Sequence, residues 1–161
     1  LHMNKYPPTV IVRHCRENLK KCSLRGLEPR SDCLFLSYPD TILPDMSCYL
    51  MLTLDAPPLS PADSDKGLIL IDATWRYAAT MERVLSPQLP VLRRSLPPCS
   101  RTAYPRHQTS CSDPDRGLAT VEALYIAYHL MGRDTSGLLD HYYWAEAFLQ
   151  KNLLTPRENL S

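Results

Sequence analysis

The chain has 161 residues, 44% of them hydrophobic and 22% charged, with a formal net charge of +1. That size supports one domain with a real core, or one domain with a small N-terminal lobe, and the charge excludes a globally basic nucleic-acid binder. No apolar run approaches bilayer length and no signal-peptide pattern is present, so a cytoplasmic protein without a membrane span is expected; Leu1-His2-Met3 reads as a tag scar, with residues 1–2 its remnant.

Taken in chain order, Thr9 to Val12 is β-branched, follows Pro7-Pro8 and predicts a strand. A basic stretch comes next, with Arg13, Arg16, Lys20, Lys21, Arg25 and Arg30. A second holds Arg93, Arg94, Arg101, Arg106 and His107, while acids gather around Asp63 and Asp65. Such clustering makes a local anion-attracting face on a neutral protein, or else two solvated, salt-screened surfaces. Cys33 to Leu36 and Tyr49 to Leu54 predict two more strands. Residues 55–66, rich in proline and polar side chains, form the best internal boundary. The six cysteines include no Cys-x-x-Cys pair, so reduced thiols without a metal are expected.

Leu68 to Ile71 is a continuous aliphatic run, as in a strand buried on both faces, and Thr74 to Leu85 has helical spacing up to Pro87 and Pro90. Asp72 and Trp75 stand at the hand-over. In parallel α/β sheets ligands bind at the carboxyl ends of strands, where the following helix points its positive dipole end. Asp72 can serve a ligand there, or simply N-cap the helix. Trp75 is either a core side chain or a flat wall for a ligand or base. Val91-Leu92 predicts one more short strand, and residues 95–116, with four prolines, a long functional loop. Leu118 to Met131 predicts a buried helix closed by Gly132, and Ser136 to Leu153 a last one. Strands alternating with helices predict a parallel α/β sheet. No phosphate loop, dinucleotide fingerprint or nucleophile elbow is present.

Asp72-Ala73-Thr74-Trp75 resembles the Asp-x-Thr-Trp signature of the DTW-domain family. Leu118-Ala119-Thr120-Val121-Glu122-Ala123 resembles its Leu-Ser-Thr-Leu-Glu-Ala helix start, Arg101 to Arg106 its Arg/Ser/Tyr/Arg-rich loop, and Val10 to Glu17 its strand followed by His-Pro-Arg-Glu, with Cys15 in place of the proline. Lys21-Cys22-Ser23 and Tyr143 to Leu149 are similar to segments of the related ribosomal RNA branch, so the ordered set runs from about residue 10 to residue 152.

The resemblance implies a SPOUT-like parallel sheet with a C-terminal trefoil knot. An N-terminal lobe, residues 4–62, would carry RNA contacts and part of the cofactor site, and residues 63–155 would bind S-adenosylmethionine (SAM). It implies transfer of the 3-amino-3-carboxypropyl (acp) group of SAM to N3 of a uridine or pseudouridine-type base in tRNA or rRNA, releasing methylthioadenosine. No metal, membrane or obligatory protein partner is implied. Asp72 and Trp75 would be catalytic, Asp72 as base or orienting group. Ser23, Leu92, Tyr104, Leu118, Ala119 and Thr120 would hold SAM. Arg13, Arg16, Lys20, Lys21, Arg101 and Arg106 would meet RNA phosphates, and Glu122 would cap the helix or touch the ligand. A SPOUT-type methyltransferase and a non-catalytic RNA-binding or ribosome-assembly module are the rival readings.

Overall fold

A continuous run of β-branched residues, buried on both faces, builds the first strand, β1 (Thr9–His14), and apolar runs recur in β2 (Cys33–Tyr38), β3 (Tyr49–Leu52) and β4 (Gly67–Asp72). A two-residue strand, β5 (Arg93–Arg94), completes one sheet in the order β2-β1-β4-β3-β5, with every pairing parallel. The computed structural model describes residues 6–20, 22–104 and 117–152, with Trp75 by its backbone alone. The α/β parallel sheet expected from sequence is therefore present.

The sheet has a helix on each face. Alternation sends Val10, Val12 and Ile69 to one face, where they pack on Met81 and Leu85 of helix α1 (Trp75–Leu85). Ile11, Leu68 and Leu70 point to the other face, against Val121, Leu124 and Tyr128 of helix α2 (Thr120–Leu130). α2 is apolar nearly all round because it lies between the sheet and the C-terminal segment, where Phe148 of helix α3 (Ala145–Asn152) is fully buried edge-on to Tyr125. Each such fully buried side chain contributes about 1.5–3 kcal/mol.

Two elements differ from expectation. The last strand is Arg93–Arg94 rather than Val91-Leu92, and Val91 is exposed. The final helix starts at Ala145 rather than Ser136. Leu138 and Tyr142 are buried at helical spacing, but a series of turns puts them there, and Gly137 takes φ +80, which a helix does not permit. The expected boundary between residues 62 and 63 is not a break in the sheet, because β4 inserts between β1 and β3. Among the described residues, no helix is long and apolar enough to cross a membrane.

Candidate functional site

Strand parity locates the site. Arg13 shares its face of β1 with Ile11, and Asp72 shares its face of β4 with Leu68 and Leu70. The register sets Arg13 directly beside Asp72. Both sit at carboxyl ends of strands, on the face that α2 covers.

Asp72 is buried, and its carboxylate accepts from three side chains. Arg13 Nε donates to Oδ2 at 3.2 Å, the Cys22 thiol to Oδ2 at 3.0 Å, and the Thr120 hydroxyl to Oδ1 at 3.2 Å. Arg13 also pairs with Glu28 at 3.2 Å, and its guanidinium lies 4.7 Å over the Phe35 ring. Burial, then the charge of Asp72 and the hydrogen bond to it, push the Cys22 thiol up to about 12. Cys22 is therefore a donor rather than a nucleophile. Glu17 completes the cluster; burial and the charge of Asp72 raise its pKa against the pull of Arg13. Ligand-capable atoms of Glu17, Cys22 and Asp72 lie within 4.8 Å of one another. The protonated thiol and the guanidinium already among them make this a hydrogen-bonded ion-pair centre rather than a metal-shaped one.

These contacts revise three readings. Asp72 does not cap α1, whose N-cap is Thr74, without a side-chain hydrogen bond. The helix start that meets Asp72 belongs to α2, through Thr120. Arg13, expected to reach RNA, turns inward because its parity aims it at the covered face, where Asp72 and Glu28 hold it.

Glu122 is both cap and tie. It is fully buried and accepts from the Ala119 N–H at 2.7 Å, the Thr102 hydroxyl at 2.6 Å, the Ala103 N–H at 2.8 Å and the Tyr142 hydroxyl at 3.0 Å. One carboxylate thus satisfies an otherwise orphaned donor at the start of α2 and binds the 102–104 segment to it.

The other expected residues fall in two places. Ser23 accepts from the Val121 N–H at 3.2 Å, and with Tyr104 it lines a cavity of about 180 Å³. Leu92 lines a different cavity, about 600 Å³, at the β3–β5 edge. Leu92, Tyr104 and Leu118 nonetheless pack on the same core cluster, with Ala119 buried beside them. Arg16 and Lys20 are exposed. Arg101 is exposed too, its guanidinium donating to the Pro98 and Ser100 carbonyls. Lys21, Arg106 and the Trp75 side chain lie outside the described residues. Sequence reasoning missed Cys22 as a partner of Asp72, and also Tyr142. No local pattern marks either as a partner of these carboxylates; only the fold brings Cys22 to Asp72 and Tyr142 to Glu122.

No protein-family model matches the sequence, and a search of curated proteins finds no match. Among solved structures, the SAM-dependent rRNA:acp-transferase Tsr3 from Vulcanisaeta distributa matches with a TM-score of 0.68 at 25% identity, over 91% of this chain and 79% of that one.

Proposed function

We propose that the chain transfers the acp group of SAM to RNA. The observation that carries this reading is the likeness to an rRNA:acp-transferase over 91% of the chain. The Asp72 centre, at the carboxyl end of a parallel strand, lies where such sheets bind ligands. SAM is the co-substrate, and it supplies an electrophilic carbon next to a sulfonium. The residues present suit it: a buried carboxylate would face its positive charge, the Ser23 hydroxyl would meet its amino-acid portion, and Tyr104, Leu118, Ala119 and Thr120 would offer apolar and backbone surface to the adenosine, with Leu92, at the neighbouring β3–β5 edge, closing that surface from the far side of the same core cluster.

The acceptor in this reading is N3 of a uridine or pseudouridine-type base, and methylthioadenosine is the by-product. The solved relative favours the ribosomal RNA branch over the tRNA branch. The DTW-domain assignment and the SPOUT-type trefoil knot belong to the same proposal and rest on the motif resemblance. Residues 4–62 and 63–155 then divide labour rather than folding: the first brings Arg13, Ser23 and RNA-facing cations, the second Asp72 and the adenosine surface. Arg16, Lys20 and Arg101 meet phosphates, which fix position without reading sequence; Lys21 and Arg106 extend that set. Arg13 serves Asp72 instead.

Asp72 orients more than it abstracts. With three donors on its two oxygens, the carboxylate is held in one pose, a positioning and electrostatic role. Trp75 walls the transferred arm or stacks a base.

The test is product analysis of the purified chain with SAM and RNA. Methylthioadenosine and an acp-sized mass increment on one nucleoside are expected, and Asp72→Asn should lower turnover by about a hundredfold or more. S-adenosylhomocysteine in place of methylthioadenosine would make the chain a methyltransferase, and no product at all would leave a binding module.

A further inference from the structure

The cavity of about 180 Å³ has an unusual wall. Tyr143 is 86% exposed, yet its ring stands edge-on against Trp144 at 4.6 Å and 80°. Trp144 in turn packs on the core. A single exposed apolar side chain needs no explanation. An exposed aromatic step seated on a fixed indole at a cavity mouth is a different object.

The opposite side is polar and positive. Lys20 and Arg25, both exposed, line the cavity and are tied together by Arg25 Nη1 donating to the Lys20 carbonyl at 3.3 Å. Cys22 lines it too, and its thiol holds Asp72 Oδ2 at 3.0 Å. The two sides are interlocked. Gly26, at φ +90, leaves the space that the His141 ring fills; a Cβ there would lie 2.2 Å from that ring.

We propose that the Tyr143 side of this cavity seats one unpaired RNA base, stacked on the Tyr143–Trp144 step, with Lys20 and Arg25 meeting its phosphates and with Ser23 and Tyr104, which also line the cavity, left to SAM. The proposal rests on the RNA-transferase reading and deepens it. Stacking takes any base, because every base has a π face, and the cations match a polyanion. A base so placed lies one hydrogen-bonded residue, Cys22, from the Asp72 carboxylate. Duplex RNA buries its base faces in the stack, so the occupant is single-stranded or extruded.

The test uses the full chain, a labelled oligouridylate of about eight nucleotides and fluorescence anisotropy. Tyr143→Ala should weaken binding about tenfold, and Tyr143→Phe should stay within about twofold of wild type. Lys20→Glu should weaken binding and flatten its salt dependence. The same strand annealed to its complement should bind less well, and SAM affinity by calorimetry should be unchanged in Tyr143→Ala. Wild-type oligouridylate affinity in Tyr143→Ala overturns the proposal, as does loss of SAM binding in its place, or polyglutamate binding as tightly as RNA. If oligouridylate binding follows this pattern while wild-type chain releases no methylthioadenosine, the base seat stands and the transferase reading falls.

Discussion

Asp72 is a carboxylate at the end of an aliphatic run, just before a helix, and so stands where parallel sheets bind ligands. Its partners were not legible. Arg13 and Cys22 lie 59 and 50 residues away, and strand pairing is not written in any local pattern. The thiols make a prediction at this scale. Burial, then a neighbouring carboxylate, push both Cys22 and Cys33 up to about 12, whereas Cys15, Cys48 and Cys99 are exposed. Iodoacetamide at about pH 8 should alkylate those three quickly and spare Cys22 and Cys33 until denaturant is added. Peptide mass mapping reads the outcome, and fast labelling of Cys22 in the native chain would mean that the Asp72 centre is open to solvent.

Among the elements, β1 to β4 followed from short β-branched or aliphatic runs, and α1 and α2 from apolar residues at helical spacing. The C-terminal part misled for a physical reason. Leu138, Tyr142, Ala145 and Leu149 keep helical spacing, but the chain reaches Tyr142 through turns, so its hydroxyl meets Glu122. Helical periodicity reports which residues are buried, not which backbone delivers them. Glu122 shows how much one residue ties together. Glu122→Ala removes the acceptor from the Ala119 and Ala103 N–H groups and from the Thr102 and Tyr142 hydroxyls. Buried donors left without partners cost about 1–3 kcal/mol each, so with four of them a loss of about 4 kcal/mol or more in urea unfolding is expected. Glu122→Gln, which keeps one acceptor oxygen, should lose less.

For the whole molecule, the sheet order decides stability as well as site. Asp32 opens β2 and joins three elements: its carbonyl accepts from the Thr9 N–H, its carboxylate pairs with Arg30 at 2.9 Å, and the Tyr128 hydroxyl of α2 reaches it at 3.4 Å. Burial opposes the charge of Asp32, but the Arg30 hydrogen bonds and charge outweigh it and hold the carboxyl below its ordinary value. A lowered folded-state pKa means that the unfolded chain takes up the proton first on acidification. The contribution of Asp32 is therefore complete above about pH 4 and is lost as pH falls through the lower folded value. Asp32→Asn should be less stable than wild type at pH 7 and lose less stability between about pH 5 and pH 2, measured by urea unfolding across that range. Equal acid slopes in both proteins would remove Asp32 from the account.

Arg13 and Asp72 ride on neighbouring strands of one ladder, so the side chain at the centre cannot shift without tearing the middle of the sheet. It is an anvil. Whatever the protein grips must be fitted by the jaws, the turns around residues 22–27 and 141–144, and these are clasped where the His141 ring occupies the hollow left by Gly26. A methyl group added at position 26 would wedge the jaws apart and leave the anvil where it stands.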